Sequence, residues 1–304
     1  MTVQRITAVP RHPDRAADSH KGDYGRVLIV AGSRGMAGAA ALSGLGALRG
    51  GAGLVTVACP ESLANAVTAV EPALMTVPLP EEDGHVADPA PDGWSDELSD
   101  RDWDAVAVGP GLGQSEAAKT AARLIFTGWE LPLVVDADGL NALCHPSTGQ
   151  GLAWEPHNDF PRVLTPHPGE FARLLGPEVS VKEVQADREG LAVKFAAEHN
   201  VVLLLKGSRT LVTDGDRLFE NRTGNPGMAS GGCGDVLTGL IAALIGQGME
   251  PFEAACCGAH LHGRAGDLAA AALSQPGLIA SDLPRFLARA FADPAYERAD
   301  GDDA

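Results

Sequence analysis

The chain has 304 residues, enough for one large or two ordinary domains. Its 45% hydrophobic and 5% aromatic content implies a large core built mostly from Ala, Val and Leu. A formal net charge of −17 argues against binding to nucleic-acid backbones or anionic membranes, so any anionic ligand needs local compensation from backbone amides, a lysine or a metal. Five cysteines, an odd number with no CxxC and no metal-ligand spacing, point to a reducing cytoplasm, and no apolar run has the length expected of a signal peptide or membrane anchor.

In chain order, residues 1–20 are polar, carry Pro10 and Pro13, and read as a flexible arm. Arg26 to Ala31 is a short apolar run ending at Gly32-Ser33, a buried strand and its turn. A small-residue helix follows from Met36 to about Arg49, closed by Gly50-Gly51-Ala52-Gly53. Leu54 to Ala58 is a second strand, Glu61 to Ala69 a helix, and Leu74 to Val77 a third strand. Pro78 to Trp103, with four prolines and several acids, reads as an exposed loop. Asp104 to Val108 returns to strand and runs into Gly109-Pro110-Gly111-Leu112-Gly113. Leu133 to Asp136 and Arg162 to Thr165 are further strands, each followed by a short helix. A helix over Val181–Glu198, the strand Val201–Leu205 and a hairpin around Asp214-Gly215-Asp216 come next. The last third is helical, and 293–304 is an acidic, frayed tail. Strands alternating with helices, with glycine turns at strand ends, predict one α/β domain with a mostly parallel central sheet and helices on both faces.

The most informative stretch runs from Asn225 to Gly239. It is a glycine-rich loop leading into a helix whose apolar face repeats through Val236, Leu237, Leu240, Ile241, Leu244 and Ile245. Free amides at a helix start form an anion site, and Gly231, Gly232 and Gly234 remove side chains where the loop turns into that helix. Asp235 places a carboxylate in the same turn. A phosphoryl-transfer site wants such a base beside the anion hole, although an acid there also favours a helix start. A thiol at Cys233 has its acidity raised if it feels the helix dipole; its simpler role is a small side chain with a backbone N–H. Asp136, Asp138 and Asn141 at a strand end suit either a polyol or metal-bound water, or helix capping. His167 and Glu170 flank a turn; Glu170 suits either magnesium water or a cap. Lys206 ends an apolar strand and must reach an anion or solvent. There is no GxxxxGK[ST] loop, and the Gly109–Gly113 run lacks the helix-side spacing of GxGxxG.

Taken together, the ordered pieces resemble the ribokinase-like superfamily, and within it the ADP-dependent NAD(P)H-hydrate dehydratases. They are Gly25 to Ser33, Gly38 to Leu42, Gly50 to Val55, Gly109 to Gly113, Asp136 to Asn141, Leu164 to Glu170, Leu205 to Thr210 and the Asn225–Gly239 loop. They cover about Lys21 to Asp267; Cys233 departs from the small, hydroxyl or Met residue usual in that family, which leaves the backbone amide intact.

The resemblance implies a ribokinase-like fold and a hydro-lyase that repairs hydrated NADH and NADPH. ADP or ATP, with Mg2+, would phosphorylate the ring hydroxyl, and phosphate would then be eliminated. By matched position, Asp235 would be the base, with the amides of Gly232, Cys233 and Gly234 around the transferring group. Ala39, Gly111, Gly113 and His167 would contact the hydrated cofactor; Lys206, Gly207, Ser208, Arg209, Thr210 and Gly234 would contact the adenine nucleotide. Glu170 would meet the metal through water. A homotetramer, a cytoplasmic setting, a separate epimerase as companion, and no nucleic-acid or membrane partner complete the expectation. Two other readings stay open at this point: a superfamily kinase acting on a thiazole, pyrimidine or sugar alcohol, and a nucleotide-binding protein without catalysis.

Overall fold

Side-chain alternation along one central strand sets the architecture. In the computed structural model, which describes residues 3–89, 94, 98, 102–156, 159–293 and 296, Val27 and Ile29 enter one apolar cluster, while Leu28 and Val30 enter another. All four are fully buried, as a strand covered on both faces requires.

The strands are β1 (Gln4–Ile6), β2 (Arg26–Val30), β3 (Leu54–Pro60), β4 (Met75–Leu79), β5 (Glu81–Glu82), β6 (His85–Val86), β7 (Ala105–Val108), β8 (Leu133–Val135), β9 (Arg162–Leu164), β10 (Val202–Leu205), β11 (Leu211–Thr213) and β12 (Arg217–Glu220). Ten of them form one sheet in the order β1-β12-β11-β10-β9-β8-β7-β2-β3-β4, and β5 pairs with β6 as a small hairpin. Within the large sheet only β11 runs antiparallel to its neighbours. One face is covered by the helices Ala37–Arg49, Cys233–Gly246, Pro251–Leu273 and Leu283–Phe291, the other by Glu116–Gly128, Pro168–Leu175 and Arg188–His199. The predicted mostly parallel α/β sheet is thus observed. Strand order reverses between β2 and β7, which opens a crevice beyond their carboxyl ends where ligands of such sheets bind.

Several sequence expectations change. The stretch read as a flexible arm supplies β1, which pairs in parallel with β12, and His12 stacks edge-on against Phe291 at 4.9 Å. The Pro78–Trp103 stretch is not simply an exposed loop: it holds the end of β4 and the β5–β6 hairpin, and buries Leu79, Val86, Trp94, Leu98 and Trp103. The helix expected over Val181–Glu198 is two helices, Val181–Ala186 and Arg188–His199, because Asp187 leaves helical geometry and caps the second through Gly190 N (2.9 Å). The helix Glu116–Gly128, capped by Ser115, was not anticipated. The tail read over 293–304 lies outside the described residues apart from Asp293 and Tyr296.

A charged residue hides in β9. Arg162 is fully buried, and its guanidinium donates to the carbonyls of Phe126 (2.9 Å), Trp129 (2.7 Å) and Leu131 (2.7 Å). It thereby satisfies carbonyls at the end of the Glu116–Gly128 helix that have no partner within it. Burial pushes its pKa down to about 10, so it stays charged at neutral pH.

The helices Ala37–Arg49 and Cys233–Gly246 meet backbone to backbone. A Cβ on Gly46 would lie 2.2 Å from the Val236 carbonyl oxygen, and one on Gly239 would lie 1.8 Å from that of Ser43. No side chain fits there, so the two helices pass closer than ordinary packing allows. Gly239→Ala is expected to lower unfolding free energy by about 3 kcal/mol through overpacking, read as a lower urea midpoint. A wild-type midpoint would show that the seam can open without cost.

Candidate active site

Five strand ends and one helix start converge at the carboxyl edge of the sheet. Asp136 directly follows β8 and is 1% exposed. Its carboxylate accepts from Lys206 Nζ (2.7 Å) at the end of β10 and from Thr238 Oγ1 (2.7 Å) on the Cys233–Gly246 helix. One buried carboxylate therefore ties two strands to the first turns of that helix. Lys206 also lies 3.8 Å from Glu170 Oε2. Burial opposes its charge, but Asp136 and Glu170, with Asp235, outweigh that and hold its pKa above the ordinary value.

The glycine loop ends at Gly232, whose left-handed φ of 95° suits glycine, and the helix begins at Cys233. A Cβ on Gly234 would stand 3.4 Å from Lys206 Nζ and 3.6 Å from Asp136 Oδ2, so the ion pair lies within ordinary contact distance of the helix start. Asp235 follows. Burial raises its pKa first, then Asp136; Lys206 opposes, and Asp138 and Glu170 raise it further, to about 7. Such a carboxyl changes charge near neutrality, as a general base must. The Cys233 thiol is pushed up by burial, which removes the expectation of a dipole-activated thiolate. Its carbonyl instead meets His262 Nε2 at 2.9 Å, and burial pushes that imidazole down to about 4, so it is neutral and donates.

His167 caps the Pro168–Leu175 helix: Nδ1 accepts from Gly169 N (2.9 Å) and Glu170 N (3.2 Å), which leaves the proton on Nε2. Glu170 returns the cap by accepting from His167 N (2.8 Å). The capping role that competed for Glu170 is therefore real. It coexists with burial beside Lys206, and burial is the main cause that raises the Glu170 pKa.

Across the switch between β2 and β7, Gly32 N donates to Pro110 O (2.9 Å) and Ser33 Oγ to Gly111 O (2.8 Å). Gly111 faces Ala39 closely: a Cβ on it would lie 2.9 Å from the Ala39 Cβ. Gly113 N donates to Asp138 Oδ2 (2.9 Å), which joins this turn to the β8 end. Gly207, Ser208 and Arg209 form an exposed turn after β10, with Thr210 half-buried at its end. The expected positions thus fall in two groups. Asp235, Gly234, Lys206, Glu170 and His167 meet through the ion-pair cluster; Ala39, Gly111 and Gly113 line the switch point, joined to them through Asp138. Sequence reasoning left Asp136 balanced between a ligand role and capping, and passed over Thr238, His262 and Arg188. Thr238 stands one turn after Gly234, which was a usable signal; the other two carry none.

Comparison with known proteins fits this geometry. The NAD(P)H-hydrate dehydratase family matches residues 27–289. The chain is 46% identical over 277 residues to the bifunctional NAD(P)H-hydrate repair enzyme of Moorella thermoacetica, which covers 90% of this chain and 51% of that protein. The chain thus spans about half the length of the bifunctional relatives. It is 36% identical over 282 residues to the ADP-dependent (S)-NAD(P)H-hydrate dehydratase of Bacillus subtilis, covering 91% of this chain and 92% of that one. The crystal structure of the ADP/ATP-dependent NAD(P)H-hydrate dehydratase from Bacillus subtilis, co-crystallised with ATP/Mg2+, superposes with a TM-score of 0.76 at 33% identity, covering 94% of each chain. A ribokinase-like superfamily protein from Enterococcus faecalis superposes with a TM-score of 0.76 at 23% identity, covering 97% of this chain and 96% of that one. The fold is ribokinase-like.

The charge cluster makes a direct prediction. A carbon-13 NMR titration of the Asp235 carboxyl should show a midpoint near 7. Asp136→Asn should move it down, because it removes a neighbouring negative charge. A midpoint in the ordinary carboxylate range in the native protein would overturn the electrostatic description.

Proposed function

This chain belongs to the NAD(P)H-hydrate dehydratase family, and we propose that it carries out the ADP-dependent dehydration of (S)-NADH hydrate and (S)-NADPH hydrate. The observation that carries this reading is Asp235: a carboxyl poised near neutrality at a glycine-lined helix start, beside an ion-paired lysine.

Hydroxide is a poor leaving group, so the ring hydroxyl must first be activated. Asp235 takes the hydroxyl proton as that oxygen attacks the terminal phosphorus of the nucleotide. The amides at Gly232 to Gly234 face the charge that builds on the transferring group. Cleavage of the donor bond leaves AMP when ADP is the donor. The ring nitrogen then expels phosphate, and loss of a neighbouring ring proton restores the reduced nicotinamide. Ala39, Gly111, Gly113 and His167 seat the hydrated cofactor, while Lys206 to Thr210 and Gly234 seat the nucleotide.

The residues present fit magnesium. Among the described residues no three His, Cys, Asp or Glu side chains converge as a cage. A hard cation that keeps most of its waters needs only a buried carboxylate and the donor phosphates, and Glu170 is 6% exposed beside Lys206. Magnesium would supply charge neutralisation of those phosphates, with Glu170 holding one of its waters. The Bacillus subtilis enzyme co-crystallised with ATP/Mg2+ supports both the metal and the donor class.

Five free, buried cysteines support a reducing, cytoplasmic setting. No described helix is long and apolar enough to cross a membrane. A homotetramer and a separately supplied hydrate epimerase complete the reading; sedimentation in solution tests the first.

The following outcomes test the reaction. Incubated with hydrated NADH, ADP and magnesium, the protein should release phosphate and regain the absorbance of reduced nicotinamide; a stable phosphorylated alcohol would mark a kinase instead. Chelation of magnesium should abolish turnover. Asp235→Ala should fold and bind nucleotide but lose about 10³-fold in kcat. The native rate should rise with pH through about 7, because only ionised Asp235 accepts the proton. A near-native rate in Asp235→Ala would end the base assignment.

A further inference from the structure

The turn joining β10 to β11 is shaped from below by a residue far away in sequence. Arg188 Nη1 donates to Ser208 O (2.5 Å), and Nη2 donates to Leu205 O (3.0 Å) and Lys206 O (3.2 Å). Gly207 O is also engaged, by Thr210 Oγ1 at 3.1 Å. A trans peptide unit is planar, with its C=O and N–H pointing in opposite directions, and the chain has no cis bonds among the described residues. Fixing the Lys206 and Ser208 carbonyls on the guanidinium therefore turns the N–H groups of Gly207 and Arg209 to the outer side. Among the described residues neither N–H has a hydrogen-bond acceptor, and both residues are exposed. Arg209 has a left-handed φ of 56°, and such residues inside turns curve successive amides into an anion-binding hollow.

Two further details bear on the guanidinium. A Cβ on Gly207, whose φ is 141°, would lie only 3.1 Å from Arg188 Nη2 and 3.3 Å from Nη1, so the turn is fitted closely to it. Arg188 Nε is buried with no partner, so the side chain keeps its place at a cost to its own hydrogen bonding. The Asp187 break between two helices is what sets Arg188 at a helix start under this turn.

We propose that Arg188 is a positioning residue for the nucleotide donor: its guanidinium gathers three carbonyls on one side of the turn, so that the amides of Gly207 and Arg209 face the phosphate oxygens of the bound adenine nucleotide. This rests on the proposed ADP-dependent reaction. Arginine suits the task because a planar fork can serve several carbonyls at once, whereas a lysine ammonium is a point charge on a flexible stem. The hydrogen bonds of Arg188 all go to carbonyls of Leu205, Lys206 and Ser208 and none to Asp235, so its effect belongs to donor binding.

The test compares the native protein with Arg188→Lys and Gly207→Ala. Titration calorimetry with ADP and magnesium, steady-state kinetics and thermal melting are read together. Arg188→Lys should raise the Kd and KM for ADP about tenfold or more, leave kcat at saturating ADP within about twofold, and leave the KM for hydrated NADH and the pH limb near 7 unchanged. Gly207→Ala keeps the guanidinium but crowds it and strains the turn at a φ of 141°, and should also weaken ADP. It serves as the deciding variant if Arg188→Lys fails to fold. Native ADP affinity in a folded Arg188→Lys, native affinity in Gly207→Ala, or equal losses for ADP and hydrated cofactor would each overturn the proposal. Native protein that binds no ADP would overturn the functional reading, and this inference with it. Native binding together with an unaltered Arg188→Lys would overturn the inference alone.

Discussion

Two helices that touch through bare backbone hold the site in register. Ala37–Arg49 begins beside the Gly109–Gly113 turn, and Cys233–Gly246 begins at the glycine loop. Their axes are locked where Gly46 and Gly239 leave no room for a side chain. Close-packed interiors are bistable rather than soft, so a seam of this kind behaves as a fixed spacer. It sets the distance between the helix start beside the Gly109–Gly113 turn and the one that carries Asp235. The seam is also the reason that this core relies so heavily on Ala and Gly.

A second layer of organisation is electrostatic. Asp136, Lys206, Glu170, Asp138 and Asp235 crowd the ends of three strands and one helix. Four carboxyls share one nearby ammonium, and the excess of negative charge is relieved by proton uptake at Asp235. A buried cluster of this sort adds little to stability, because the cost of removing charges from water offsets much of their attraction. What it supplies is a carboxyl, Asp235, whose pKa is raised to about 7. Thr238 and Lys206 leave neither oxygen of Asp136 unpaired, so Asp136 acts on its neighbour through charge and not through a missing hydrogen bond.

Much of this was legible from residue order. Runs such as Val27 to Val30 and Val202 to Leu205 are apolar without interruption, which only a strand covered on both faces explains, and the glycine turns mark where each such strand ends. Asp235 stands out in residue order because a carboxylate beside an anion hole suits a base, although an acid there also favours a helix start. The misses share a physical cause. β1 is three residues of mixed polarity whose strand geometry comes from pairing with β12, not from its own pattern. The break at Asp187 depends on a side chain capping the next helix, against a periodicity that runs on through it. Arg188 and Arg162 both work by collecting carbonyls from elements distant in sequence, and no spacing rule reports that. Asp136 could not be told from a cap until β10 was seen to deliver Lys206 beside it.

The pairing of β1 with β12 also says something about the order in which the molecule is assembled. Those strands are separated by nearly the whole interval that builds the sheet, so this contact closes the longest loop between any two paired strands among the described residues. During synthesis Gln4–Ile6 emerges before Arg217–Glu220 and cannot pair with it until that strand has been made and docked. Through that interval the outer edge of β12 has no strand to meet. Once β1 is seated, the boundary of the sheet becomes a short strand carrying Arg5 in an ion pair with Glu189, a poor template for another chain. A segment made well before its partner strand thus finishes as the guard against edge-to-edge aggregation.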